Sequence, residues 1–310
     1  MLPESTIFIV GPTASGKSAL ALELASRLDG EIVNADAFQL YAGLDVITAK
    51  PSLSDLARAP HHLYGVLPLT ESCDAQRFHS FARSVIEEIA SRGKTPLVVG
   101  GSGLYLKALT HGLAPLPQGD AAMREKLRMR SLEHKVAELL DLDPAAASMV
   151  NLRNPRYVER ALEICLLTGK PQSELRQSFQ NVQPQVHGIH LSWERETLCH
   201  RIEERTRQML ANGAIEEVAA LGELSITACK AIGICEIRAY LDGKFNLEQT
   251  IEAISIATRQ YAKRQTTWFR RERCYQTICL DSSSTAQSVL ESALRLILSY
   301  SIRSSPLPPC

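Results

Sequence analysis

Residues Gly11-Pro12-Thr13-Ala14-Ser15-Gly16-Lys17-Ser18 follow the spacing G-x-x-x-x-G-K-S/T. A strand-like run precedes them and a helix-like run follows, which is the context this spacing needs to act as a phosphate-binding loop. The glycines let the backbone curl until successive N–H groups converge on phosphate oxygens, and the N-terminus of the following helix adds partial positive charge. Lys17 is placed to neutralise a terminal phosphate. The Ser18 hydroxyl is placed to coordinate Mg²⁺ bridging phosphate oxygens. The loop alone leaves open which phosphate compound it holds, because a nucleoside triphosphate and a prenyl diphosphate present similar oxygens.

A nucleotide-hydrolysing P-loop protein usually has an apolar strand ending in an acid that holds the metal. Here Leu97-Val98-Val99 runs into Gly100-Gly101-Ser102, and no Asn-Lys-x-Asp element that reads guanine is present. Both absences weigh against that class. Asp36, at the end of the apolar run from Glu31, is the carboxylate expected near the loop: a general base, a metal ligand, or an ordinary turn cap. His61 and His62 are adjacent, so their side chains diverge, and no third ligand accompanies them. A structural role is expected there rather than metal binding. Arg201 and Arg205 remain unassigned, with Glu203 and Glu204 available as partners.

The elements that must carry these residues alternate. Thr6-Ile7-Phe8-Ile9-Val10 reads as a buried strand, Lys17 to Leu28 as a helix with leucines four apart, and Glu31 to Ala35 as a second strand. A loop through Pro51 and Pro60, a helix over 75–92 and the strand Leu97-Val98-Val99 complete a β-α-β-α-β order. That order implies an α/β P-loop core, a parallel sheet flanked by helices with ligands beyond the strands' carboxyl ends. After Gly112 the pattern becomes helical, with segments near 120–140 and 155–168. The second is capped by Asn154 and Pro155 and stopped by Gly169. The expected organisation is therefore a core over 1–114, a small all-helical insertion over 115–186, and the rest of the core over 187–310. A helix from about Leu247 to Arg273 presents Ile251, Ile254, Thr258, Tyr261 and Trp268 inward and Arg259, Lys263 and Arg270 outward.

Composition narrows the class. The chain has 310 residues, 34 basic and 34 acidic side chains, and 45% hydrophobic residues. Equal charge counts exclude a uniformly cationic nucleic-acid coat and leave only local basic patches. One such patch is the run from Arg259 to Arg273, and another is the pair Arg156 and Arg160. Eight cysteines without C-x-x-C spacing read as reduced thiols rather than a zinc site. No apolar run is long enough to span a bilayer, and no export signal opens the chain. A cytoplasmic protein is expected. The Pro/Ser-rich stretch 304–310 is expected to fray.

An ordered set of segments resembles bacterial tRNA dimethylallyltransferases over roughly residues 6–270. The set comprises Gly11 to Ser18, Asn34-Ala35-Asp36 with Gln39-Leu40-Tyr41, Thr48-Ala49-Lys50-Pro51, and His61-His62-Leu63. It continues through Val99 to Tyr105, Asn154-Pro155-Arg156 to Glu163, Ala231-Ile232-Gly233, and Thr258 to Phe269. The resemblance implies that N6 of the adenosine 3′ of the anticodon attacks C1 of dimethylallyl diphosphate and releases pyrophosphate. It implies that the P-loop, Gly11 through Ser18, binds the donor's diphosphate with Mg²⁺ as cofactor. Asp36 matches the catalytic aspartate, Ser102 the position that contacts the adenine, and Lys230 a position where relatives carry Arg facing the pyrophosphate. Residues expected against tRNA are Asp36, Ala37, Phe38, Gln39, Ser102, Arg156, Arg160, Arg259, Lys263, Arg264, Gln265 and Trp268, in a monomer.

Departures from the resembled pattern are Ala37 for Ser, Ala42 for Arg, Ile47 for Gly, and Ile234-Cys235 for Tyr and a basic residue. The alternatives are a prenyltransferase acting on free adenine nucleotide and a P-loop nucleotide kinase. A non-catalytic RNA-binding protein is disfavoured by the intact Lys17, Ser18 and Asp36.

Overall fold

The run Ile7–Val10 forms strand β1, buried on both sides because its alternate side chains enter two different cores. Strands β2 (Gly30–Asn34), β3 (His61–His62), β4 (Thr95–Gly100), β5 (His187–Trp193) and β6 (Gln276–Leu280) complete one sheet in the order β3-β2-β4-β1-β5-β6. Every pairing is parallel. The computed structural model describes residues 2–114, 116–117, 119–177 and 186–304, so the last six residues of the Pro/Ser-rich tail lie outside them.

Period-2 alternation decides which helices cover which face. Phe8 and Val10 pack with Phe78 and Ile86 of the helix Ala75–Ser91, Leu106 of Gly103–His111, and Ile251, Ile254 and Phe269 of Leu247–Phe269. Ile7 and Ile9 pack with Leu20 and Leu24 of the helix Lys17–Leu28 and with Leu290, Ala293 and Ile297 of Ala286–Ser304. This is an α/β fold with the sheet between two helical layers. The carboxyl ends of β1, β2 and β4 carry Gly11, Asp36 and Gly101 to a common edge.

The chain divides into two compact units, Met1–Thr110 with Pro184–Cys310, and His111–Gln183. The second has its own apolar cluster, centred on Leu127, Leu139, Val158 and Leu162. Its described residues contain helices and no strand. The stretch near 120–140, read from sequence as one helix, is two, Ala121–Arg128 and Leu132–Leu142. Ser131 starts the second by accepting the His134 N–H at 3.2 Å. Glu163 is fully buried in this unit, where it accepts from the Asp120 N–H and from the guanidinium groups of Arg124 and Arg160.

Three further features differ from the sequence expectation. The loop between Pro51 and Pro60 contains a short helix, Leu53–Arg58, started by a Ser52/Asp55 capping box. His61 and His62 form the edge strand β3, and His62 Nε2 lies 2.7 Å from Glu31 Oε2. Glu31 also accepts from Arg92, so this histidine belongs to a structural ion cluster. The long helix ends at Phe269, short of Arg273, because the backbone turns there to bring Tyr275 into the core ahead of β6.

Strand β4 approaches β2 so closely that a Cβ on Gly100 would lie 2.2 Å from the Ala35 carbonyl oxygen. The contact is backbone and has no rotamer to move. Gly100→Ala is expected to destabilise the protein by about 1–3 kcal/mol, whereas Gly222→Ala, with open space around the new methyl, should be neutral or stabilising. Denaturant midpoints of the two variants check this, and a Gly100→Ala midpoint equal to wild type would contradict the packing described.

Candidate active site

The P-loop lies between β1 and the helix that begins at Lys17. Its outward-facing peptide groups are individually engaged. Trp193 Nε1 donates to the Ser15 carbonyl at 2.9 Å and Arg201 Nε to the Ala14 carbonyl at 2.9 Å, with the Arg201 guanidinium 4.6 Å from the Trp193 ring centroid. Lys17 Nζ donates to the Pro12 carbonyl at 2.6 Å. Gln265, from the far end of the chain, accepts the Thr13 N–H with Oε1 and donates to the Gly101 carbonyl with Nε2, both at 2.9 Å. The loop is thereby tied to the segment after β4.

Asp36 follows β2 and is set by its neighbours. The fully buried Asn34 accepts the Asp36 N–H at 2.8 Å and donates to the Asp36 and Leu63 carbonyls, each at 3.0 Å. One Asp36 carboxylate oxygen accepts the Phe38 N–H at 3.0 Å, so the turn-capping alternative is realised while the side chain still lines the pocket. Ser102 Oγ accepts the Ala37 N–H at 3.0 Å and joins the third loop to this turn.

These loops enclose a cavity of about 130 Å³. Of the residues singled out by sequence, Thr13, Ala14, Lys17, Ser18, Asp36, Phe38 and Gln39 line it. The structure adds Arg205, Tyr64, Tyr261 and Thr258, and the apolar side chains of Ile47, Met209, Ile232 and Ile254. In the sequence Arg205 has acidic neighbours on its own helix, Arg195–Met209, that could equally be its partners. Helical phase was the missed signal. Arg205 is turned from Glu203 and Glu204 towards the cavity, and its guanidinium lies 3.5 Å from the Thr48 carbonyl.

Electrostatics follow from this enclosure. Burial pulls the Lys17 ammonium down to about 7, with the Asp36 carboxylate opposing and Arg205 reinforcing the shift. Burial also lowers Arg205, again opposed by Asp36. The phenols of Tyr64 and Tyr261 are pushed up, first by burial and then by the Asp36 charge. One carboxylate, two cations and two neutral phenols therefore share the cavity.

The remaining sequence-derived residues are spread more widely. Lys230 is exposed and is not among the lining residues. It ends a short turn, Ala228–Lys230, after which Ala231 and Ile232 face the cavity instead. Lys263 and Arg264 are exposed on the long helix, Arg264 beside the Tyr261 ring, and Arg259 is paired with Glu252 at 2.8 Å. Gln265 is buried in its P-loop contact, and Trp268 lies partly buried over Gly103. In the second unit Arg156 is exposed, whereas Arg160 is engaged by Glu163 and the Pro117 carbonyl. Among the described residues no group of three His, Cys, Asp or Glu side chains could hold a metal, and no helix is long and apolar enough to cross a membrane.

A parallel sheet between two helical layers, with Lys17, Ser18, Asp36 and several apolar side chains lining one cavity beyond its carboxyl edge, defines an α/β protein whose pocket is both charged and apolar. The IPP transferase family model matches residues 39–272, more than half of the chain. A tRNA dimethylallyltransferase from Akkermansia muciniphila is 42% identical over 286 residues, covering 92% of this chain and 97% of the relative. One from Anoxybacillus flavithermus is 38% identical over 303 residues, covering 96% of each. The solved tRNA isopentenylpyrophosphate transferase of Bacillus halodurans superposes with a TM-score of 0.69 at 32% identity, over 97% of this chain and 99% of that one. A eukaryotic dimethylallyltransferase solved acting on tRNA gives 0.81 at 28%, over 98% and 81%. The chain belongs to the IPP transferase family.

The lowered Lys17 has a measurable consequence. A diphosphate beside it favours the charged ammonium, so the bound form titrates above the free form. Between pH 7 and 9 binding should take up a proton at this site, and affinity should fall by up to about tenfold per pH unit. Calorimetry at pH 8 in buffers of different ionisation enthalpy is expected to show that uptake, and Lys17→Ala to abolish it. Uptake that persists unchanged in the variant would contradict the assignment to Lys17.

Proposed function

We propose that this protein transfers the dimethylallyl group of dimethylallyl diphosphate to N6 of the adenosine 3′-adjacent to the anticodon in tRNA. The observation that carries this reading is the pocket itself. The P-loop residues Lys17 and Ser18, with Arg205, line the same cavity as the Asp36 carboxylate, and Ile47, Met209, Ile232 and Ile254 line it as well. Such a cavity suits a donor with a diphosphate head and a hydrocarbon tail.

In the proposed reaction Lys17, Arg205 and the P-loop amides hold the diphosphate and accept the negative charge that grows on it as the C1–O bond breaks. The N6 lone pair forms the new bond to C1. Asp36 takes the N6 proton, and pyrophosphate leaves with the bonding electrons. An adenine exocyclic amine is a weak nucleophile because its lone pair is delocalised into the ring, so a base acting as the bond forms helps chiefly in the transition state. Asn34 and the Phe38 N–H orient that carboxylate. Tyr261 and Phe38 supply aromatic surface beside it on which a base can stack.

The site suits Mg²⁺ by donor chemistry, since Ser18 offers one hard oxygen and this ion prefers phosphate oxygens and water to a full protein cage. When bound it supplies charge neutralisation on the diphosphate. Arg205, rather than Lys230, is the cationic side chain assigned to the diphosphate here. Exposed Lys263, Arg264 and Arg156 are proposed to meet tRNA phosphates, in a cytoplasmic enzyme acting as a monomer.

The test incubates the protein with Mg²⁺, labelled dimethylallyl diphosphate and unmodified tRNA, with AMP in a parallel reaction. Label is expected in tRNA and absent from AMP, and Asp36→Asn should lower the single-turnover rate by about 10²–10⁴-fold with donor and tRNA affinities nearly unchanged. Label entering AMP alone would refute the tRNA reading. A normal rate in Asp36→Asn would refute the assignment of the base.

A further inference from the structure

The helix Gly103–His111 buries Tyr105, Leu106, Ala108 and Leu109 and exposes Leu104 and Lys107. Positions three apart share one face, and a solvated helix face carries polar residues. Lys107 obeys that pattern and Leu104 breaks it, with 65% of its surface exposed. The phase of the helix is fixed from both sides. Tyr105 stacks on Phe78 with ring centroids 4.1 Å apart and donates its hydroxyl to the Cys73 carbonyl at 3.2 Å. Trp268 covers Gly103 so closely that a Cβ there would stand 2.6 Å from the indole. Burying Leu104 would break both contacts, so the fold holds an apolar side chain in solvent.

Its place in the chain ties it to the site. Leu104 is in the first turn of the helix that leaves the carboxyl end of β4, two residues beyond Ser102, whose Oγ accepts the N–H of Ala37 next to Asp36 at 3.0 Å. Lys107 shares its face, and the long helix that packs on Gly103 exposes Lys263 and Arg264 about one turn before Trp268. An exposed leucine accompanied by cations suits a partner with phosphates outside and flat apolar surfaces within, which is the chemistry of stacked RNA bases.

N6 of an adenosine reaches Asp36 only when the base leaves the stack of its loop and enters the cavity. Proteins that open a base step do so by inserting an apolar side chain into it. We propose that Leu104 is the wedge that takes the place of the target adenosine in the loop stack, with Lys107 and Arg264 holding neighbouring phosphates. The inference rests on the tRNA reading given above.

The test uses the full chain and an anticodon stem-loop RNA carrying 2-aminopurine in place of the target adenosine, whose fluorescence rises when that base leaves the stack. Wild type is expected to bind it and raise the fluorescence. Leu104→Ala removes no charge, so it should bind the RNA within about threefold of wild type while losing most of the rise. On the adenosine stem-loop its single-turnover transfer should slow by about tenfold or more at unchanged donor affinity. Leu104→Met, apolar and of similar reach, should keep both properties. A stem-loop with abasic nucleotides flanking the target has no stack to refill, and on it the alanine variant should match the wild-type rate, a rescue that a merely structural role would not give. A full rise and a wild-type rate in Leu104→Ala overturn the proposal, as does a defect that the abasic stem-loop leaves in place. A wild-type dimer in sedimentation that Leu104→Ala converts to monomer overturns it too, because the side chain then covers a second copy. Wild type that binds the stem-loop without a rise overturns base extrusion and the wedge with it. Wild type that binds no RNA overturns the tRNA reading itself.

Discussion

Curling eight residues tightly enough to point amide hydrogens at a phosphate turns their carbonyl oxygens outward, and a buried carbonyl without a donor is costly. In this protein the donors come from every part of the unit: Lys17 on Pro12, Arg201 on Ala14 and Trp193 on Ser15. The Thr13 N–H is matched in turn by Gln265. The loop's shape therefore depends on contacts from the helices and strand that carry these side chains. The long helix reaches the loop through Gln265, and β5, which pairs with β1, reaches it through Trp193.

The same crowding shapes the chemistry. Asp36 stands among Lys17, Arg205, Tyr64 and Tyr261, each of which carries its charge in its own titration. Enclosure makes Lys17 easier to deprotonate, with the Asp36 carboxylate opposing that shift. Lys17 and Asp36 are carried by different loops of one sheet edge, and Ser102 and Gln265 join those loops through Ala37, Thr13 and Gly101.

Much of this was legible in the residues. The P-loop spacing, the β-α-β-α-β order and the helical character after Gly112 depend on local patterns, and the structure has the parallel sheet flanked by helices that they imply. Thr13, Lys17, Ser18, Asp36, Phe38 and Gln39 line one cavity. What could not be read was long-range. Arg205 looks like one member of a charged helix until its phase is known, and Gln265 looks like part of a basic exposed face although it is buried against a loop some 250 positions earlier. Arg160, four residues from Arg156 on the same helix, is committed to Glu163, and no spacing rule reveals a fully buried carboxylate. Lys230 is exposed for a local reason, since it ends a single short turn after which Ala231 and Ile232 line the cavity. The two-residue strand β3 is too short for any periodicity to register.

The central claim is that one cavity holds the donor's diphosphate at the P-loop and its reactive carbon within reach of Asp36. A crystal structure of the protein with a non-reactive thiolo analogue of dimethylallyl diphosphate tests it most directly. The account predicts phosphate oxygens against the P-loop amides, Lys17 and Arg205, the hydrocarbon against Ile47, Met209 and Ile232, and C1 on the side facing Asp36. A diphosphate seated away from the P-loop, or a hydrocarbon directed away from the Asp36 side of the cavity, would contradict it.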